Sequence, residues 1–452
     1  MLKQIHAGGQ VFAVPVRNNN PTKLLKIIRG KEFLLLNIPV SGQETADFTA
    51  EYFLPFPAEE SVLEADDTLL RHLSWKNTCS RTPDPDSIHP EYHFSPAHGW
   101  LNDPNGLYYK NGEWHLYFQH NPLASIWGNM HWGHAVSRDL IHWKEQKFAL
   151  YPDSIGTMFS GSAIIDRNDS AGLGKDRLLF FYTNAGYDGK GTQCLAIDDG
   201  ERLVKYSGNP IIPNTNGQVE RDPVPVFDPD SGIWRMATYL GEEENKKFAI
   251  YSSRDLIHWT RTDTYIILPG RECPGLRKMK DSADDSETWL FTEASNYYRL
   301  GTISADGKVT MRTESSRFLF GDAYAGQFFH NAPDGRSIFI AWIRMPGGAF
   351  KSWSGCMTLP MEIRLENNKL KCRPAVEVPF TSLFTDKRLA IRGKTSEIVF
   401  DPQRGTITDY AGNIWQVQSP GESFSGKIIQ DRCCLEYFDE AERYAAAFYF
   451  QE

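Results

Sequence analysis

Short apolar runs recur through the middle of the chain at nearly regular intervals. They begin at Trp114, Leu178, Trp234, Trp289 and Ile338, which gives intervals of 64, 56, 55 and 49 residues. Runs of this length predict buried strands, and turn pairs such as Asn-Gly and Asp-Gly are frequent between them. A repeat of about 50 residues is typical of a propeller blade of four strands. The spacing therefore predicts five blades of antiparallel sheet between about 95 and 370.

A second pattern supports this repeat. The segment RDLIHW at 138–143 recurs letter for letter at 254–259, a displacement of 116 residues, which is two repeat intervals. We interpret both copies as turns at equivalent places in two blades, with Asp139 and Asp255 as turn residues.

The pattern changes on both sides of the repeat. Residues 1–90 contain strand-like runs at 10–16, 31–40 and 48–54 and then a Pro/Asp-rich linker at 82–86. Residues 371–452 are β-like again, and both pieces are short for a sandwich, which typically needs about 100 residues. We predict an all-β chain of three regions: a β-rich accessory region (1–90), a five-bladed β-propeller (91–370) and a small sandwich-like region (371–452). Residues 1–90 either supply strands to the C-terminal region or form a small sandwich themselves.

Composition narrows the class of protein and its partners. The 452 residues are 41% hydrophobic and 23% charged, and the net charge of −9 argues against a nucleic-acid partner. No apolar run approaches the ~18 residues of a membrane helix, and the first residues lack the apolar core of a signal peptide. Seven irregularly spaced cysteines without a C-x-x-C pair favour free thiols in a reducing compartment. We therefore expect no metal, no cofactor and no membrane partner, and a cytoplasmic location unless a leader was removed.

Three short segments carry the candidate chemistry. WLNDPNG at 100–106, RDP at 221–223 and ECP at 272–274 each place a carboxylate beside proline or glycine, where a rigid backbone displays it. Asp103, Asp222 and Glu272 lie 11, 12 and 17 residues before the strands at 114, 234 and 289. In a propeller these blade starts face one end of the central channel, so we expect the three carboxylates to share one pocket. Paired carboxylates of this kind cleave glycosidic bonds.

With these three segments in this order, the chain resembles glycoside hydrolase family 32, which contains invertases, inulinases, levanases and other β-fructofuranosidases. The likeness spans about 92–370, and the segments FSGS at 159–162, YAGQ at 324–327 and QDRCCLEYF at 430–438 are also similar to family segments. The resemblance implies a five-bladed propeller followed by a C-terminal sandwich. This chain departs from that pattern in its short C-terminal region and its extra 90 N-terminal residues.

The resemblance also implies roles for individual residues. Asp103 matches the nucleophile, Asp222 the transition-state stabiliser and Glu272 the general acid/base of a retaining enzyme. The positions that match the lining of the fructosyl subsite are Asn102, Gln119, Trp127, Phe159, Ser162 and Arg221. A retaining mechanism places nucleophile and acid roughly 5–5.5 Å apart, keeps the nucleophile ionised and raises the pKa of the acid. We expect nearby donors such as backbone amides to keep Asp103 ionised, and Arg221 to offset part of the negative charge.

Several alternatives remain open at this point. The leading interpretation is an enzyme that cleaves terminal β-D-fructofuranosyl residues from sucrose or fructans through a covalent fructosyl-Asp intermediate. A fructan-binding protein without activity, a fructosyltransferase and, more distantly, an inverting five-bladed arabinanase or xylosidase are the others. Trp132 and Cys273 are interpreted as packing residues. The substrate among sucrose, sucrose 6-phosphate, inulin and levan, and the oligomeric state, are left undecided by the sequence.

Overall fold

The computed structural model describes residues 2–80, 82–83, 87–214, 220–241, 247–385, 387–393, 397–422 and 424–450. Residues 84–86 of the predicted linker lie outside this set. Strands account for nearly all regular structure, which confirms the all-β prediction, and the short helical elements are Gln43–Thr45, Ala58–Glu60, Asp67–His72 and Pro333–Gly335. Among the described residues, no helix combines the length and the apolar character that a membrane span needs.

Five sheets follow one another along the middle of the chain, and we number them from first to fifth central sheet. Each apolar run predicted from the sequence is the second strand of one of these sheets. A short strand near the end of this region, Trp353–Ser354, returns to pair in parallel with the first strand of the first central sheet. The strands are Gly99–Lys110, Glu113–Asn121, His131–Ser137, Lys144–Glu145 and Trp353–Ser354 in the first central sheet; Gly156–Asp166, Arg177–Gly186, Gly191–Asp198 and Leu203–Lys205 in the second; Arg221–Asp228, Ile233–Tyr239, Phe248–Ser253 and Thr260–Tyr265 in the third; Gly275–Lys280, Glu287–Thr292, Tyr297–Ile303, Val309–Met311 and Ser316–Arg317 in the fourth; and Ala323–Phe328, Ile338–Ile343, Cys356–Met357, Met361–Glu366 and Lys369–Pro374 in the fifth.

The repeated hexapeptide forms the same turn twice. In both copies the aspartate accepts two backbone amides and the ring Nδ1–H of the histidine three residues later, at 2.7 Å for Asp139–His142 and for Asp255–His258. The turns join the third and fourth strands of the first and third central sheets. Asp139 and Asp255 are therefore turn residues, as predicted. The displacement of 116 residues corresponds to a step of two sheets along the chain.

The N-terminal region contains two sheets that share one hydrophobic core. The strands are Leu2–His6, Val62–Asp66, Lys23–Arg29 and Glu32–Ile38 in one sheet, and Phe48–Phe53, Val11–Val16 and Ser74–Lys76 in the other. Alternate side chains of Phe48–Phe53 are buried, as expected for a strand with one face on a core. Every described strand pairing of residues 2–76 joins two strands of this region. The hypothesis that it supplies strands to the C-terminal sheets is therefore wrong.

The C-terminal region also contains two sheets around one core, which includes Phe400, Ile407, Tyr437 and Phe448. The strands are Thr381–Thr385, Phe424–Asp431, Cys434–Asp439, Ala445–Tyr449 and Leu319–Gly321 in one sheet, and Leu389–Arg392, Glu397–Asp401, Thr406–Thr408 and Ile414–Gln416 in the other. The strand Leu319–Gly321 lies within the predicted central region of the sequence but pairs in a C-terminal sheet. The last strand of the fifth central sheet, Lys369–Pro374, extends past the predicted boundary at residue 370. The central and C-terminal regions are therefore interleaved at their boundary.

A buried cluster of ionised side chains connects the segment just before the first central sheet to the C-terminal region. His93 Nδ1 lies 2.8 Å from Asp431 Oδ2 and Nε2 lies 2.9 Å from Glu436 Oε2, and all three side chains are almost completely buried. Asp431 also accepts the backbone amides of Glu91 and Tyr92 at 2.7 Å. Burial lowers the pKa of His93, but the two carboxylates outweigh it and raise the pKa to about 10. His93 is therefore an imidazolium ion across the neutral range.

Replacing His93 with Gln is expected to lower the free energy of unfolding by about 3–5 kcal/mol at neutral pH, because two buried carboxylates lose their cation. The folded-state pKa lies above the unfolded value of about 6.5. The stabilisation is thus complete below about pH 6.5 and declines as the pH rises towards 10. Urea unfolding of wild type and variant at pH 6, 8 and 9.5 measures the difference. His142→Gln, in an exposed turn, is the control, and a difference that does not shrink with pH would contradict the assignment.

Candidate active site

Local irregularities in the strands position the first predicted carboxylate. The pairing of the first two strands of the first central sheet shifts between Leu101 and Pro104, so that Asn102 and Asp103 lie opposite the single residue Gln119. A bulge of this kind turns side chains away from the regular alternation of a strand. The orientation of the Asp103 side chain is therefore set by a bulge within its strand and not by a turn at the end of the strand.

Irregular pairing of the same kind occurs in the first strands of three other central sheets. Pairing shifts occur between Phe159 and Gly161 in the second central sheet, on either side of Asp222 in the third and after Tyr324 in the fifth. Asp222 has a φ of 65° and Cys273, which precedes the fourth sheet, a φ of 51°. Left-handed backbone at residues other than glycine costs of order 1–3 kcal/mol and concentrates at functional sites.

Asp103 is partly buried and lies among side-chain donors. Ser160 Oγ donates to Asp103 Oδ2 at 2.6 Å and Cys273 Sγ donates to the same oxygen at 3.4 Å. Burial and the charge of Glu272 raise the pKa of Asp103 to about 6, against the opposing effect of hydrogen bonds from Ser160, Asn102 and Cys273. The donors that the structure shows are thus side chains, not the backbone amides expected from the sequence. Asp103 is ionised above about pH 6.

Asp222 lies next to the same cysteine. The backbone amide of Cys273 donates to Asp222 Oδ2 at 2.9 Å, and Arg221 Nε lies 3.7 Å from that oxygen. Burial raises the pKa of Asp222 to about 7, with further contributions from the charges of Glu272 and Asp103, while Arg221 opposes the shift. Burial and the nearby carboxylates raise the pKa of the Cys273 thiol well above its usual range, so the thiol keeps the proton that it donates to Asp103.

Glu272 is held at both oxygens. Arg221 donates to Oε2 through Nη2 at 2.8 Å and through Nε at 3.2 Å, and the hydroxyl of Tyr324 donates to Oε1 at 3.0 Å. The guanidinium group of Arg221 also stacks over Tyr239, 4.7 Å from the ring centroid. The single positive charge of Arg221 thus lies close to both Asp222 and Glu272.

These contacts bring together the three carboxylates that lie up to 169 residues apart in the chain. Cys273 touches Asp103 and Asp222, and Arg221 touches Asp222 and Glu272. The expected convergence is therefore present in the structure. A partly buried cluster of three carboxyl groups with one arginine can hold a proton on one group while another attacks as an anion.

The remaining predicted residues lie at different depths. Asn102 is buried and accepts from Trp100, and Gln119 is buried with an amide nitrogen that has no acceptor among the described residues. Phe159 and Trp127 are in edge-to-face contact at 6.1 Å, and Trp127 is 59% exposed.

Ser162 and Trp132 make contacts within the protein. The Ser162 hydroxyl donates to the carbonyl of Pro223 at 2.8 Å, which ties the second central sheet to the bulge at Asp222. Trp132 is completely buried and its Nε1 donates to the carbonyl of Phe159, which agrees with its prediction as a packing residue.

Three site residues were missed by the sequence prediction. Ser160 and Tyr324 lie within segments that the sequence singled out, but they were not chosen as site residues. Cys273 is buried, as predicted, yet it also donates to the two aspartates through its thiol and its amide. The sequence signal for all three was their position at the start of a repeat, and Ser160 and Cys273 are also adjacent to residues already chosen.

Two groups of potential metal ligands occur among the described residues, both outside the carboxylate cluster. They are Cys356, Cys433 and Cys434, and His93, Asp431 and Cys434. Because both ring nitrogens of His93 face carboxylates, its imidazolium form has no lone pair for a metal. The three thiols are part of the hydrophobic core between the central and C-terminal regions. The expectation of no metal stays a prediction.

Solved structures of known proteins share this fold. An exo-inulinase from Aspergillus awamori superposes with a TM-score of 0.67 and 24% identity, over 81% of this chain and 94% of that protein. A fructofuranosidase from Schwanniomyces occidentalis in complex with fructose gives a TM-score of 0.67 and 23% identity, over 82% of this chain and 93% of that protein.

Sequence comparison agrees with the structural likeness. A levanase from Bacillus subtilis is 38% identical over 211 residues, which is 44% of this chain and 31% of the levanase. An invertase from Schizosaccharomyces pombe is 38% identical over 219 residues, 44% of this chain and 37% of the invertase. The matches thus span about a third of the length of these relatives. The model of the glycosyl hydrolases family 32 N-terminal domain matches residues 93–374, which is well over half of the chain and contains all three carboxylates. The protein therefore belongs to glycosyl hydrolase family 32.

Proposed function

We propose that this protein is a retaining β-fructofuranosidase that releases terminal β-D-fructofuranosyl residues from sucrose or fructans. The observation that carries this proposal is the cluster of Asp103, Asp222 and Glu272 around Arg221, in which Asp222 is buried and the other side chains are partly exposed. Relatives named levanase, invertase and exo-inulinase support the substrate class. Structural neighbours in complex with sucrose or fructosylnystose support it too.

The first step is attack on the anomeric carbon. A carboxylate oxygen of Asp103 forms a bond to C2 of the fructosyl unit while the bond from C2 to the leaving oxygen breaks, and Glu272 gives its proton to that oxygen. Ser160 and Cys273 hold Asp103 in position through its Oδ2. Tyr324 and Arg221 hold Glu272 from opposite oxygens.

The second step returns the enzyme to its starting state. Glu272, now ionised, takes a proton from water as the water oxygen attacks C2, and the bond between C2 and Asp103 breaks. In both steps Asp222 accepts hydrogen bonds from sugar hydroxyls, which strengthen as positive charge develops on the ring. Arg221 limits the accumulated negative charge of the cluster.

The pH dependence follows from the protonation states that the mechanism requires. We expect kcat/KM to fall below about pH 6, where Asp103 becomes protonated and can no longer attack. We also expect an alkaline fall, because a general acid that has lost its proton cannot assist the leaving group. Initial rates on a low concentration of sucrose between pH 4 and 9 measure this bell. An optimum above pH ~8 would contradict a mechanism with two carboxyl groups.

We also infer the architecture that creates the site. The five central sheets are proposed as the blades of a β-propeller, and the two-sheet regions at the termini as small sandwiches. The convergence of residues from the starts of all five sheets supports the propeller, as does the return of Trp353–Ser354 to the first sheet. Small-angle scattering of the whole chain in solution tests this arrangement.

Activity on four substrates tests the function directly. Fructose release is expected from at least one of sucrose, sucrose 6-phosphate, inulin and levan, and it should be unchanged by EDTA because the mechanism uses carboxyl groups alone. Fructosyl oligomers as the main product at high sucrose would instead indicate a transferase. Binding of a fructan without any product would indicate a binding protein, and would overturn the proposal.

A further inference from the structure

The loop that carries Trp127 is held by the N-terminal region, which lies outside the segment that the family model matches. This loop, residues 122–130, connects the second and third strands of the first central sheet. Trp127 is the exposed residue of the loop that contacts Phe159, next to Ser160 and the nucleophile. Residues on both sides of Trp127 are bound by the N-terminal region.

The first anchor precedes Trp127. Asn18 Nδ2 donates to Ser125 Oγ at 2.8 Å, and the Ser125 amide donates back to Asn18 Oδ1 at 2.9 Å. Both side chains are at least nine-tenths buried. Leu123, two residues earlier, is completely buried in the hydrophobic core of the N-terminal region. The loop is thus fixed by one apolar and one polar contact before Trp127.

The second anchor follows Trp127. Glu32–Ile38 is the edge strand of its sheet, and its residue Asn37 exchanges two hydrogen bonds of 2.8 Å between its backbone and the amide side chain of Asn129. An edge strand offers unpaired backbone groups on alternate residues, and here the central region satisfies those of Asn37.

A third contact passes through a buried histidine. The Tyr52 hydroxyl lies 2.8 Å from His131 Nε2, while His131 Nδ1 faces the carbonyl of Asn129. Burial lowers the pKa of His131 to about 3, so the ring is neutral; Nδ1–H donates to the carbonyl and Nε2 accepts from the tyrosine. Asn129, with a φ of 43°, is therefore held through its side chain and its backbone.

We propose that the N-terminal region is a positioning element for substrate binding, which fixes Trp127 at the rim of the site through contacts at residues 123, 125, 129 and 131. This inference rests on the proposed function, because it treats Trp127 as a residue that contacts the fructoside. An ordered loop holds the Trp127 ring in its binding position before substrate arrives. Substrate binding then does not have to order the loop, and the conformational entropy of the loop does not reduce the affinity. Loss of an anchor should weaken binding without changing the chemical step.

Asn18→Ala tests the proposal, with Asn20→Ala as the matched control. Asn20 belongs to the same region but donates to Val40, away from the loop. For Asn18→Ala we expect KM to rise about tenfold with kcat within about twofold of wild type, and faster amide hydrogen exchange across residues 122–130. Asn20→Ala should change neither. Tyr52→Phe, which removes one hydroxyl, is a milder second variant and should change both quantities in the same direction.

Two outcomes would overturn the proposal. One is unchanged hydrogen exchange of residues 122–130 in both Asn18→Ala and Tyr52→Phe; the other is faster exchange with KM unchanged. A wild-type protein that releases no fructose from any of the four substrates would refute the proposed function instead. The exchange measurement would then still decide whether the N-terminal region fixes the loop.

Discussion

Asp103→Asn is expected to reduce kcat on sucrose or a fructan at least a hundredfold while the protein stays folded. The amide has almost the volume of the carboxyl group, but it cannot form the ester to C2 on which the covalent mechanism depends. Steady-state rates at saturating substrate measure the loss. A variant that retains more than about a hundredth of the wild-type kcat would be incompatible with Asp103 as the nucleophile.

The same substitution should not destabilise the protein. Burial raises the pKa of Asp103 to about 6, which means that the folded state disfavours its charged form. This penalty is present above pH 6 and disappears as the pH falls through the unfolded value of about 4. The thermal midpoint of Asp103→Asn at pH 7.5 should therefore equal or exceed that of wild type. Asp188→Asn, in an exposed turn, is the control for both activity and stability.

The repeat made much of the central region predictable from sequence. Five apolar runs at intervals of 49 to 64 residues identified the second strand of each sheet, because buried strands need continuous apolar side chains. The three carboxylates were predictable because proline and glycine beside them mark places where regular pairing stops.

The parts that were not predictable depend on contacts between distant segments. The bulge at Asn102–Asp103 places both residues opposite Gln119, and the sequence of one strand does not encode which partner residue they face. Cys273 donates to Asp103 only because the segment before the fourth sheet meets the first strand of the first sheet, 170 residues away in the sequence. The anchoring of Ser125 by Asn18 joins residues 107 positions apart, and no local pattern encodes it. Propensity and periodicity describe elements, whereas these contacts depend on how elements pack.

Glu272→Gln is expected to lower kcat on sucrose by about 10²–10⁴, which is the usual contribution of general acid catalysis. The rate of the first step should fall much less on a fructosyl fluoride, because fluoride leaves without receiving a proton. Arg221 can still donate to the glutamine oxygen, and the Tyr324 hydroxyl can accept from the glutamine NH2 group, so the geometry of the site should be kept. The comparison of the two substrates separates the loss of a proton donor from the loss of binding.

The fluoride also tests the second role of Glu272. Once the leaving group has departed, water must attack the intermediate, and the glutamine side chain cannot take the proton from that water. Glu272→Gln should therefore release fluoride in a rapid burst and then turn over slowly, as the fructosyl-enzyme accumulates. Peptide mapping of the quenched protein should place one fructosyl unit on the peptide that contains Asp103. Equal losses on sucrose and the fluoride, with no burst, would assign the acid to another residue. A burst with the label elsewhere would instead remove Asp103 from the mechanism and leave Glu272 in place, so the single variant tests both carboxyl groups separately.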